Sequence, residues 1–195
     1  MKLGIFGGSF NPPHKKHYEI ARECIEKGYL DRVIYVPTGS HYKYKNNLLR
    51  DQLRYDMLSL LIQEDHRMEV SDFELKERVV YTYETLEYMK NKYPNDEIYF
   101  ICGADNLSYM DTWKNGISIL EHTNLLVINR NTNDMKSLLE KFYKYRDHIT
   151  VVDIELSDMS STMIREKLKN HEDVSDYLSK PVEDYIKKHH LYHCK

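Results

Sequence analysis

Apolar positions along this chain recur in two rhythms. In the runs LGIFG (3–7), RVIYVP (32–37), EIYFICG (97–103) and NLLVINR (124–130) nearly every residue is apolar, as in strands covered on both faces. HITVVDIEL (148–156) predicts a further strand, and MEVSDFEL (68–75) alternates as a strand does. Between these runs the spacing changes to three and four. Ile20, Ala21, Cys24 and Ile25 form one helical stripe within 17–27, and Gly28 stands where a left-handed cap would end that helix. Leu53, Met57, Leu60 and Leu61 form another within 50–63. Residues 81–93 predict a helix stopped by Pro94, and two more are expected over 159–169 and 181–192.

Strands and helices alternating at this spacing imply right-handed crossovers. The expected fold is α/β, a Rossmann-like doubly wound, mostly parallel sheet with helices on both faces, in one domain over residues 1–195. Such sheets take ligands beyond the carboxyl ends of their strands, where strand order reverses. Residues 7–17 lie beyond the first strand, Thr38 to Lys45 beyond the second, and Gly103 to Trp113 beyond the strand at 97–102. Arg130 follows the next strand, and Ser160 to Arg165 the last. The polar motifs therefore gather at one end of the sheet. Loop 38–49 is the candidate flap.

Composition narrows the partners. A net charge of −3 gives no overall attraction to nucleic acid polymers or anionic membranes, so any anion site must be local. No uninterrupted apolar run is long enough for a membrane span, and the expectation is a cytoplasmic protein. Three cysteines, none in a CxxC pair, speak against a disulfide framework or a cysteine zinc site; Cys102 is expected to be a buried thiol. The 17 tyrosines are scattered, as packing residues are.

The candidate chemistry starts at GGSFNPPHKKH (7–17). Gly7 and Gly8 permit positive φ and close approach of a phosphate, and Pro13 presets the chain just ahead of a helix whose N-terminus favours anions. His14 and His17, three apart, are expected to share a helical face and to donate to one phosphoryl group. The segment is neither a G-x-G-x-x-G fingerprint nor a Walker A loop. In SSTMIR (160–165) three hydroxyls open a helix with Arg165 one turn on; a single N-cap would need only one of them. In GADNLSYMDTW (103–113) Asp105 offers a carboxylate for a ribose or a magnesium ion, while Trp113 suits packing or stacking on a flat ring. His41, Lys43 and Lys45 offer positive charge in the second loop. His189, His190, His193 and Cys194 cluster at the end of the chain but lack the distant second half of a zinc site.

These motifs, with VPTG (36–39), VSDFEL (70–75), YTYETL (81–86), LLVINR (125–130) and VEDYIKKHHLY (182–192), resemble in order those of bacterial nicotinate-nucleotide adenylyltransferases, members of the HxGH nucleotidyltransferase superfamily. The resemblance implies transfer of the adenylyl group of ATP to nicotinate mononucleotide, with magnesium accompanying ATP and no protein metal ligands. It implies His14 and His17 as catalytic residues. Gly7, Gly8, Ser9, Phe10, Lys16, Gly103, Asp105, Arg130, Ser160, Ser161, Thr162 and Arg165 would hold ATP and its phosphates. Thr82, Trp113, Lys43 and Lys45 would hold the pyridine nucleotide. The sequence departs from the family at Lys16, where the HxGH glycine is expected, at Val80, and in the SHYKYK loop. Alternatives are another acceptor within the superfamily (nicotinamide mononucleotide, phosphopantetheine or a CTP-dependent substrate), a hydrolase with a metal on His14, His17 and Asp105, or a nucleotide binder disabled by Lys16. A homodimer is left open.

Overall fold

The computed structural model describes residues 1–41, 48–129, 134–155 and 158–192. Six strands, β1 (Lys2–Gly8), β2 (Arg32–Pro37), β3 (Met68–Val70), β4 (Glu97–Gly103), β5 (Asn124–Asn129) and β6 (Ile149–Asp153), form one sheet in the order β3-β2-β1-β4-β5-β6. All its pairings are parallel. The order reverses between β1 and β4, so the loops leaving these two adjacent strands turn to opposite faces and open a crevice at their carboxyl ends.

The runs that read as doubly covered strands are covered on both sides. On one face Leu3, Ile5, Val36, Phe100, Leu125 and Val127 meet helices α3 (Thr82–Lys92), α4 (Ala104–Tyr109) and α5 (Gly116–His122) through Leu86, Met89, Leu107 and Leu120. On the other, Val33, Tyr35, Ile101, Leu126 and Val152 meet α1 (Lys15–Glu26) and α2 (Asp51–Ile62) through Ile20, Ala21, Cys24 and Leu58. A third cluster joins Met57 of α2 to Ile164 and Leu168 of α7 (Ser161–Lys169) and to Val182 and Ile186 of α8 (Lys180–Lys188). A short α6 (Met135–Lys141) precedes β6.

Gly28 closes α1 at φ +79°, as its position in the sequence implies. Burial pushes the thiols of Cys24 and Cys102 up to about 12. Several elements differ from the sequence reading: the helix expected over 181–192 is α8 and ends at Lys188, and α6 has no counterpart in that reading. The strand expected over 68–75 ends at Val70; Ser71 N–H still bonds the Tyr35 carbonyl at 2.8 Å, but the Ser71 hydroxyl then accepts from Phe73 N–H and the chain turns away. The stretch 103–122 holds α4, a 3₁₀ turn (Met110–Thr112) and α5, pieces too short to show a helical period. No helix among the described residues is long and apolar enough to cross a membrane.

Candidate active site

At the carboxyl end of the sheet two cavities meet over the last residues of β1. One, about 540 Å³, opens on the α3 face and is lined by Val36, Glu74, Thr82, Phe100, Trp113 and Lys114, among others. The second, about 250 Å³, opens on the α1 face between His14, Lys16, His17, Gly103, Ser160 and Ser161. Gly7, Gly8 and Asn106 line both. The sequence reading needs correction at the paired glycines: among the described residues only Gly28 is a glycine with positive φ, so Gly7 and Gly8 are ordinary strand residues. Their value is lack of bulk. A Cβ on Gly8 would come within 3.0 Å of the Phe10 ring, at the place where the two cavities join. The left-handed residue of this loop is Phe10, at φ +47°.

His14 is not within the helix but is its N-cap, in extended conformation, with His17 at the third helical position. The imidazoles nevertheless come together, stacked 3.7 Å between centroids at 26°. His14 N–H donates to Nδ1 of His17 at 3.1 Å. A ring nitrogen that accepts carries no proton, so neutral His17 keeps its proton on Nε2, which is left as the donor. Behind it stands Phe10, edge-on to His17 at 4.9 Å, and the buried Tyr35 hydroxyl donates to the His17 carbonyl at 2.9 Å. The expected helix N–H groups are partly committed: Lys15 N–H bonds the Tyr177 carbonyl at 3.0 Å. Lys16, only 6% exposed, lies along the second cavity rather than out in solvent.

The SSTMIR hydroxyls divide their work. Ser160 caps α7, its oxygen accepting from Met163 N–H at 3.1 Å. Ser161 donates to the Pro12 carbonyl at 2.8 Å. Arg165 donates to the Asn11 carbonyl at 2.8 Å and to Thr162 at 3.3 Å. The start of α7 is thus tied to the loop that carries His14. Trp113 packs edge-on against Phe100, 6.4 Å between centroids, and lines the first cavity together with Thr82. Asp105 is exposed and does not line either cavity; its neighbour Asn106 does. Lys43, Lys45, Arg130, His193 and Cys194 lie outside the described residues.

Gly116 sustains the turn that presents Trp113. Its N–H bonds the Trp113 carbonyl at 2.9 Å, and a Cβ there would lie 1.8 Å from the Met110 carbonyl oxygen. Backbone cannot yield as a side-chain tip can. Gly116→Ala is expected to lower Tm by roughly 3–9 °C, from an overpacking cost of about 1–3 kcal/mol in a chain of this size. Thermal unfolding followed by circular dichroism checks this, and an unchanged Tm would contradict the close packing.

Several residues were not singled out by the sequence. Arg54 is fully buried on α2, and its guanidinium donates to the Ser9 carbonyl (2.8 Å), the Leu49 carbonyl (2.9 Å) and Asp51 (2.7 Å). Burial draws its pKa below the usual arginine range, and Asp51 opposes that shift. Asn11, 3% exposed, accepts from the Tyr192 hydroxyl at 2.7 Å. Glu74 is buried beside the first cavity and accepts from Thr85 at 2.7 Å. A signal for Arg54 was present: with Met57, Leu58 and Leu61 it is a charged residue on an apolar stripe.

A parallel sheet of this order, with a crevice at its switch point, defines a doubly wound α/β protein whose ligand site lies beyond the carboxyl ends of its strands. Residues 5–167 match the family described as cytidylyltransferase-like, and the chain belongs to that family. It is 38% identical over 197 residues to a Clostridium tetani protein named "Probable nicotinate-nucleotide adenylyltransferase", covering 98% of each chain. A Clostridium acetobutylicum protein of the same name is equally similar, with the same coverage. Among solved structures, Plasmodium falciparum nicotinic acid mononucleotide adenylyltransferase complexed with NaAD superposes with a TM-score of 0.84, covering 98% of this chain and 97% of that one. At 24% identity, that likeness concerns the fold.

Proposed function

We propose that this protein transfers the adenylyl group of ATP to nicotinate mononucleotide, giving nicotinate adenine dinucleotide and pyrophosphate, a step of NAD biosynthesis. The observation that carries the reading is the pair of cavities on opposite faces of the sheet, joined over Gly7–Gly8 beside the stacked histidines. Joining two nucleotides requires two pockets whose phosphates meet. The larger cavity, with Trp113 and Thr82, receives the pyridine nucleotide. The smaller one, with Gly103, Lys16 and the start of α7, receives ATP.

A 5′-phosphate oxygen of the mononucleotide attacks the α-phosphorus of ATP in line. The new P–O bond forms as the bond to the β-phosphate oxygen breaks, and pyrophosphate leaves. The nucleophile is already an anion, so the protein contributes position and charge rather than a covalent intermediate. His17, through Nε2–H, and His14 donate to phosphoryl oxygens as charge builds on them. Lys16 and Arg165 add positive charge near the leaving phosphates, and Ser160, Ser161 and Thr162 place the helix start there. A magnesium ion accompanying ATP would supply charge neutralisation to the triphosphate.

The test is pyrophosphate release from ATP and magnesium with nicotinate mononucleotide, nicotinamide mononucleotide or phosphopantetheine as acceptor. Release at least tenfold faster with the nicotinate substrate, about 1.4 kcal/mol of discrimination, supports the reading. Faster release with either of the others moves the assignment to a different acceptor, and release with none of them overturns it.

A further inference from the structure

The loop from Ser9 to Pro13 connects β1 to α1 and sets where His14 begins the helix. It contains a strained residue. Phe10 at φ +47° is a bulky side chain in the left-handed region, a conformation that persists only when its surroundings over-determine it. Within the loop Pro12 and Pro13 restrict φ. Three further restraints come from far along the chain: Arg54 on the Ser9 carbonyl, Arg165 on the Asn11 carbonyl and Ser161 on the Pro12 carbonyl. A fourth comes from the last described residue. Tyr192 reaches back 181 positions to place its hydroxyl 2.7 Å from Asn11 Oδ1, which also accepts from Leu49 N–H at 3.4 Å.

The path to that contact is built. Helix α8 packs on α2 and α7, Leu191 is buried in the third cluster, and the Tyr192 ring packs against the same cluster. His190 (φ +49°) and Tyr192 (φ +62°) both adopt the left-handed conformation, so the chain turns back over the loop instead of running into solvent. The Tyr192 hydroxyl feels the charges of both Arg54 and Arg165, yet burial outweighs them and pushes its pKa well up, so it remains a protonated donor.

We propose that Tyr192 is a positioning residue for the transfer step: its hydroxyl, through Asn11, fixes the loop that sets His14 and His17. This rests on the adenylyl-transfer reading above. Tyr192 lines neither cavity. It acts on the reaction because catalysis by positioning is sensitive to displacements of an ångström or less.

The test is Tyr192→Phe, which removes one oxygen and keeps the packed ring. The expected result is a kcat about tenfold below that of the parent, KM for both nucleotides within twofold and Tm within about 3 °C. The imidazole cross-peaks of His14 and His17 in nitrogen-15 NMR spectra are expected to shift. Adding Tyr192→Phe to Asn11→Ala is expected to change kcat less than twofold, because the same bond has already been lost. A kcat within twofold of the parent overturns the proposal. So do unmoved imidazole signals, or a full tenfold loss repeated in the Asn11→Ala background. If the parent itself releases no pyrophosphate, the functional reading fails, and the imidazole signals still decide whether Tyr192 sets the histidines.

Discussion

Replacing His17 by alanine is expected to lower kcat for pyrophosphate release by about 10²–10³, with KM for ATP changed less than threefold. The magnitude is that of removing one donor aimed at developing charge in a water-poor site, about 2.7–4 kcal/mol. The direction follows from how the ring is held. Nδ1 accepts the His14 N–H at 3.1 Å, the His14 ring stacks at 3.7 Å, and Phe10 closes the edge at 4.9 Å. With Nδ1 accepting, an Nε2–H donor would be set before substrate arrives, and little reorganisation would be needed as charge builds on the phosphoryl oxygens. His17→Gln separates two contributions. An amide retains a donor but loses the stacked plane, so it should recover part of the rate. Steady-state kinetics with saturating magnesium gives the answer, and a kcat for His17→Ala within threefold of the parent would remove the histidine from the mechanism.

Arg54→Ala is expected to destabilise the protein by about 3–5 kcal/mol, the range for breaking a buried charged pair from one side. In a chain of this length that is a fall in Tm of roughly 8–15 °C. The side chain is fully buried, and its loss leaves the Ser9 and Leu49 carbonyls and the Asp51 carboxylate without this donor. Asp51 is shared, since it also accepts from Ser40 N–H at 2.9 Å, so the loss reaches the loop after β2 as well. Arg54→Lys should restore only part of the stability, because an ammonium cannot present the planar fork that serves three acceptors at once. Urea unfolding of the three proteins measures the series. A Tm for Arg54→Ala within 2 °C of the parent would show that the guanidinium is not holding this loop. Arg54 supports the site from behind and is distinct from the groups assigned to phosphate.

Much of this was legible in the sequence because periodicity reports burial. The runs 32–37 and 97–103 match strands β2 and β4 residue for residue, since a strand covered on both faces must be apolar throughout. Strand–helix alternation requires parallel crossovers, and the switch-point rule places the polar motifs at one end of the sheet. The strand over 68–75 was overextended because alternation of apolar and polar residues continues through a turn that side-chain bonding stabilises. The short helices between 104 and 122 were missed because six or seven residues hold less than two turns of pattern.

The sheet, its direction and the residue types gathered at its carboxyl edge follow from the local spacing of apolar groups along the chain. The sequence also supplies the two histidines and the SSTMIR hydroxyls, since their chemistry is written in short motifs. Their partners come from tertiary packing, which makes His14 a cap, lets His17 Nδ1 accept the His14 N–H, gives Ser160 and Ser161 separate partners, and brings Arg54, Arg165 and Tyr192 onto one loop. The contacts of Arg54, Arg165 and Tyr192 with that loop join residues 45, 154 and 181 positions apart, and nothing in the spacing of a chain encodes which distant donor will meet a given acceptor. That is settled only when the clusters on the two faces of the sheet pack and carry α2, α7 and the end of the chain to the same place.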